Sequence, residues 1–184
     1  MTEKTLPLSF LEITEENIPQ LAKVMTRAFD DDAQKHLGQE RGGPDGYDDG
    51  GFFREWLFPY EQSVGYSILW EDNIIGGIIV WILPEGHNIL GTIFIDPDYQ
   101  DRGVGAQTWR FIEDTYPETQ SWRLATPEWA TKNFHFYEVK CGFQRVESDP
   151  LIPEEEGTII YRKELSKQDA GTSRKPAPDT GSPA

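Results

Sequence analysis

The sequence predicts an α/β (α+β mixed-sheet) domain, a central mixed β-sheet with helices on both faces, and three observations point there. Short alternating or apolar runs recur between segments of helical spacing. Two of those runs, 66–70 and 74–83, flank a polar pair in the manner of a hairpin. A third run, 89–95, stops at Asp96-Pro97 and passes through a glycine-rich turn into a helix.

The elements follow in order. Leu8 to Ile13 alternates as a short strand, and Thr14 stands where a helix cap belongs. Ile18, Leu21, Val24, Met25 and Phe29 then recur at helical spacing. The stretch from Phe29 to Gly51 reads as a flexible, acidic loop, and 52–58 as a short helix bounded by Pro59. The hairpin turns at Asp72-Asn73. Next come the strand 89–95, a helix over 104–114, a strand over 121–126 and a helix over 131–140, with Val146 and 158–162 supplying the closing strands. The resulting order is β-α-α-β-β-β-α-β-α-β-β. No repeat or second composition shift appears, so the expected domain spans 5–166, and the polar segment 167–184 is expected to be a disordered tail because it has little apolar surface to offset the entropy of ordering.

Composition narrows the function. Seventeen basic against 32 acidic side chains leave a net charge of −15, which excludes a binder of the nucleic-acid backbone, whose affinity rests on clustered Lys and Arg. The longest apolar run, 74–83, contains two glycines and is about half of the roughly 20 residues that a membrane span needs. The amino-terminal segment carries no long apolar run with a small-residue cleavage signal, so the expected location is the cytoplasm. Cys141 is the single cysteine and His36, His87 and His135 are scattered, so neither a disulfide nor a metal site is expected. A small-molecule partner that is neutral or cationic fits this charge balance.

The most informative segment runs from Gly91 through Asp96-Pro97 to Gln100-Asp-Arg-Gly-Val-Gly-Ala106. Gly103 and Gly105 lack a Cβ, so a ligand can come close to the backbone there, and the first N–H groups of the helix that follows have no intrahelical acceptor. A diphosphate would satisfy them, each charge-assisted bond contributing about 1.5–3 kcal/mol and the helix dipole about 0.3–1 kcal/mol. The same pattern also fits a turn that only needs positive φ before a helix. The Walker and dinucleotide-binding glycine spacings are both absent.

Together with Asn133-Phe-His-Phe-Tyr137 and Cys141-Gly-Phe143, this segment resembles the GNAT superfamily of acyl-CoA-dependent N-acetyltransferases, and the resemblance covers 8–162 in element order. It implies a GNAT-like fold and acetyl-CoA as acyl donor. The backbone from Gln100 through Asp101, Arg102, Gly103, Val104 and Gly105 to Ala106 would hold the coenzyme A pyrophosphate. Ile93, Phe94 and Ile95 would receive the pantetheine arm like an added strand, and Asn133 would contact the same arm. Tyr137 would be the general acid that protonates the departing thiolate, although a core tyrosine beneath the sheet fits the position as well. The region after the first helix would border the acceptor site. There Asp30, Asp31 and Asp48, with Asp32, Asp45 and Asp49, would attract a cationic amine, and Tyr47, Phe52 and Trp56 would wall it. A merely solvated acidic loop remains the alternative.

An alkyl amine with a pKa near 10 is about one part in a thousand neutral at pH 7, so losing its proton costs about 4 kcal/mol. The strand 89–95 contains no acid to act as base. Glu61, Asp30, Asp31, Glu85 and ordered water are the candidates. The resulting expectation is direct acetyl transfer to a small cationic amine, such as a polyamine, in a ternary complex. A protein lysine or amino-terminal acetyltransferase and a non-catalytic acyl-CoA sensor are the alternatives, and the oligomeric state, a homodimer included, is left open.

Overall fold

The computed structural model describes residues 5–166, so the tail expected over 167–184 lies outside the described residues. Seven strands form one sheet: β1 (Leu8–Glu12), β2 (Ser63–Trp70), β3 (Asn73–Trp81), β4 (His87–Ile95), β5 (Ser121–Pro127), β6 (Gln144–Val146) and β7 (Thr158–Glu164). Four helices accompany them: α1 (Ile18–Leu37), α2 (Gly51–Trp56), α3 (Val104–Thr115) and α4 (Thr131–His135), the last continuing as a π turn over Phe136–Lys140. The strand order is β1-β2-β3-β4-β5-β7-β6, and of the paired neighbours β4 and β5 are parallel while the others are antiparallel.

The observed element order is the expected one, with two local differences. The β2–β3 turn residues are Glu71 and Asp72, both at positive φ, because Asn73 already pairs with Trp70. More consequentially, α1 does not end near Phe29 but runs on to Leu37. An ion pair between Asp31 and Lys35 at 2.6 Å spans one turn of this extension, and Gly38 at φ 64° supplies the left-handed stop. Part of the acidic segment is therefore helical.

The sheet separates two apolar layers. On one face Leu21 and Met25 of α1 and Phe53 of α2 pack with Ile79 and Phe94. On the other, Trp109 and Ile112 of α3 pack with Ile78, Leu90, Trp122 and Tyr161. Leu90 and Phe94 are an even number of residues apart and would share a face in a regular strand. They do not, because Leu90 pairs with Val80 and Thr92 with Ile79, so Gly91 is an extra residue in β4. This bulge reverses the alternation and bends the strand. Beyond it, Phe94 crosses β3 at Gly77, where an added Cβ would lie 2.6 Å from the Phe94 ring.

The far side of β5 is held by charge. Arg123 of β5 pairs directly with Arg162 of β7, a juxtaposition of like charges that is unfavourable alone. Asp149 lies fully buried beside them, accepting from Arg162 Nε at 2.8 Å and Nη2 at 2.6 Å, with Arg123 Nε at 3.5 Å. Removing one member of a buried ionic group leaves uncompensated charge and typically costs 3–5 kcal/mol, so Asp149→Ala is expected to lower the unfolding free energy by about that amount in urea titration. A loss below about 1 kcal/mol would show that the two arginines are solvated without it.

Candidate active site

The parallel pairing of β4 with β5 covers His87–Ser121, Asn88–Trp122 and Ile89–Arg123, and ends there. Past the Gly91 bulge the two strands diverge, and a cavity of about 970 Å³ opens between them, with Gly91 to Ile95 on one side and Ala125, Thr126 and Pro127 on the other. It is lined from both layers, by Phe29, Asp32 and Phe52 on the α1–α2 side and by Val104, Gly105, Phe136 and Tyr137 on the α3–α4 side. Its volume is near the top of the range of about 300–1,000 Å³ found for ligand sites, enough for an extended ligand.

At one end lies the turn between β4 and α3. Asp96 accepts from the Asp98 N–H at 2.9 Å and from Arg27 Nη1 at 2.6 Å, which sets the exit of β4. Gln100 donates through Nε2 to the Ile95 carbonyl at 2.9 Å and accepts at Oε1 from Lys132 Nζ at 2.8 Å, so one side chain joins the end of β4 to α4. From Asp101 to Ala106 none of the six backbone N–H groups meets an acceptor among the described residues; the next, that of Gln107, bonds to Gly103 O at 3.1 Å. Gly103 caps α3 at φ 77°, and a Cβ added there would enter open space. Gly105 is needed for a different reason: a Cβ would come within 2.8 Å of the Phe136 ring, which packs on this helix start. The turn is thus a row of unpartnered donors at a helix start, an arrangement that takes phosphate oxygens. These residues fit an acyl-CoA, whose pyrophosphate matches the donors and whose amide-bearing arm matches the strand edge at Ile93 and Ile95 in the gap.

Tyr137 is buried among the rings of Phe136, Phe143 and Tyr161 and lines the cavity. No described residue hydrogen-bonds its hydroxyl. Burial, with the nearby Cys141 and Tyr161 adding to it, pushes the phenol well above its ordinary value, so it stays a proton donor throughout the working pH range. The π turn contributes to this placement: the Cys141 N–H bonds to Phe136 O, five residues back, at 3.0 Å, and such insertions recur at functional sites. Asn133 lines the same cavity and donates to Thr126 Oγ1 at 3.3 Å.

A sequence model of the family described as "Acetyltransferase (GNAT) family" matches residues 24–143. The chain belongs to the GNAT acetyltransferase family. The family's acyl donor is acetyl-CoA. An uncharacterised Bacillus subtilis protein, YrkN, is 32% identical over 149 residues, covering 80% of this chain and 79% of that one. Among solved structures, an acetyltransferase from Thermus thermophilus is similar at a TM-score of 0.66 and 18% identity, covering 90% of this chain and all of that one. The PaiA N-acetyltransferase of Thermoplasma acidophilum in complex with coenzyme A is similar at 0.65 and 15%, covering 87% and 100%. The ribosomal-protein-S18-alanine N-acetyltransferase of Escherichia coli is similar at 0.64 and 16%, covering 86% and 94%.

In this GNAT acetyltransferase the residues expected at the donor end come together. Ile93, Phe94, Ile95, Gln100, Asp101, Gly103, Val104, Gly105, Ala106, Asn133 and Tyr137 all line the cavity. Arg102 does not; its guanidinium lies 5.7 Å from the Tyr99 ring centre, on the surface. Of the residues expected at the acceptor end, Asp30, Asp31, Tyr47, Asp48 and Trp56 are not brought to the cavity. Asp30 accepts from the Tyr47 hydroxyl at 2.6 Å and from Gly42 N at 3.1 Å, and Tyr47 is itself part of the core. Asp31 is paired with Lys35, Asp48 with Arg41 at 2.6 Å, and Trp56 stands half-exposed on α2. Each carboxylate is drawn to a cation or donor of its own segment, which a reading of the segment as a loop could not show. Phe52, expected in the acceptor wall, does line the cavity.

Asp32, one of the carboxylates expected to attract the amine, does line the cavity, on the α1 side with Ala28, Phe29, Ala33 and Leu37. The signal was present as helical spacing carried on past Phe29. Lys132, beside Asn133, had no such signal, because its role depends on α4 meeting the turn at Gln100.

Two outcomes are expected. Gly103→Val places a β-branched side chain at positive φ and in the path of the donor phosphates, and should raise the dissociation constant for coenzyme A about tenfold or more in calorimetry; unchanged affinity would remove the turn from the site. The second concerns Cys141, whose thiol is pushed up by burial from 9.0 to about 12. A group with a raised folded-state pKa contributes stability below its unfolded value that is lost as pH rises. Between pH 8 and pH 10.5 the protein should therefore lose more stability in urea than Cys141→Ala does, and equal losses would contradict the burial argument.

Proposed function

We propose that this GNAT acetyltransferase moves the acetyl group of acetyl-CoA directly to a primary amine of a small cationic molecule, with both substrates bound together. The observation that carries this reading is the gap between β4 and β5. It is open to both faces of the sheet, with unpartnered backbone donors at the α3 end and a carboxylate-bearing wall on the α1 side, so donor and acceptor can approach each other through the sheet. Acetyl-CoA supplies the activated acetyl group. The amides from Asp101 to Ala106 bind the pyrophosphate. The free edge of β4 at Ile93 and Ile95, with Asn133 across the gap, aligns the pantetheine arm.

In the balanced step the amine nitrogen forms a bond to the acetyl carbon, the carbon–sulfur bond breaks, the Tyr137 hydroxyl gives its proton to the departing sulfur, and the nitrogen loses one. The nitrogen's proton leaves to water in the gap, and Tyr137 regains a proton from the same water, which restores the phenol for the next turnover. The apolar rings around Tyr137 keep its hydroxyl neutral, and so able to donate a proton. The proposed setting is the cytoplasm, where a lone thiol such as Cys141 stays reduced.

Thiol release from acetyl-CoA across a panel of amines tests this reading. Tyr137→Phe is expected to lower kcat by about 10²–10⁴, the usual worth of a general acid, while coenzyme A affinity stays within twofold. Full activity in that variant would remove Tyr137 from the chemistry. Binding of acetyl-CoA without turnover of any amine or peptide would turn the reading into that of a sensor.

A further inference from the structure

On the α1 side, the cavity wall is apolar except at one point. Phe29, Ala33, Leu37, Pro44 and Phe52 line it together with Asp32. Asp32 is partly buried, yet its carboxylate accepts no hydrogen bond and forms no ion pair among the described residues, unlike its neighbours Asp30 and Asp31. The charged groups that act on it are His36, Lys132, Asp31 and Lys35. Lys35 is held by Asp31, Lys132 by Gln100 and Asp101, and His36 lies beside the Trp129 ring at 6.1 Å. Burial pushes the Asp32 carboxyl above its usual value, as expected of a partly buried carboxylate without a hydrogen-bonding partner. Asp101 is the other carboxylate lining the cavity; it sits at the α3 turn, 3.5 Å from Lys132 Nζ.

Resting on the proposed amine acetylation, we propose that the acceptor is a primary amine carried on an uncharged apolar body, its ammonium docked on Asp32 and its body held between Phe29 and Phe52. The acidic composition by itself suggested a polycation. The structure supplies the acceptor wall with one unpartnered carboxylate, because Arg41 and Lys35 neutralise Asp48 and Asp31 outside the cavity. A second ammonium would be placed against Phe29, Leu37 or Phe52, with no anion to meet it. An amine that also carries a carboxylate would be repelled by Asp32.

The test compares 2-phenylethylamine and isopentylamine with putrescine, spermidine and phenylalanine as acceptors for the full chain. The apolar monoamines are expected to have kcat/KM at least tenfold above the others. Asp32→Asn should raise their KM about tenfold or more while leaving coenzyme A affinity unchanged, and Asp32→Glu should restore part of it. Phe52→Ala should narrow the preference over putrescine, which guards against Asp32→Asn failing for reasons of folding. Preferred turnover of spermidine, or an unchanged KM in Asp32→Asn, overturns the acceptor assignment and leaves amine acetylation standing. Coenzyme A binding without turnover of any amine or peptide overturns both.

Discussion

Parallel pairing between β4 and β5 lasts for three residue pairs, and the site follows from its ending. A sheet that stayed paired would bury its strand edges in hydrogen bonds and leave no passage between its faces. Here the extra residue at Gly91 bends β4 away, and β5 is held on its other side by seven register pairs with β7 and by the Asp149 charge cluster. One strand is turned and the other fixed, so the gap is built into the backbone. The same bulge exchanges the faces of Leu90 and Phe94, which lets Phe94 join the α1 layer while Ile93 packs against the α3 layer.

The donor turn works by a related logic. Six consecutive amides without acceptors would be costly if all were buried, but Asp101, Arg102 and Gly103 are exposed. Lys132 and Gln100 brace the turn across the mouth of the gap, and Lys132 adds a positive charge where a phosphate would lie. Tyr137 occupies the opposite regime, a hydroxyl in an apolar ring cluster, where a low dielectric keeps the proton on oxygen.

The acidic character of the chain divides in the same way. Several carboxylates are already paired: Asp31 with Lys35 and Asp48 with Arg41 within one segment, and Asp96 and Asp98 with Arg27 across the fold. The first two pairs lie in α1 and the segment after it, and exposed pairs of this kind contribute little individually. Asp32 differs because its helical position turns it inward, toward the phenylalanines that line the gap.

Local chemistry written in the sequence determined a good deal. The element order, the strand–proline–glycine turn, the positions of Gln100 to Ala106, and Asn133 with Tyr137 on the closing helical segment are all set by periodicity, caps and glycines, which act over a few residues. The family was legible for the same reason. The acceptor wall was not, since α1 continues past Phe29 to Leu37 with Ala33 buried on its inner side, and since Asp48 is neutralised by Arg41 only once the loop folds back. Lys132 bracing Gln100, Asp149 between two arginines, and the face exchange at Gly91 likewise exist only once distant segments meet. Spacing along a chain reports what shares a face, whereas which charges find partners is decided by the folds of other segments.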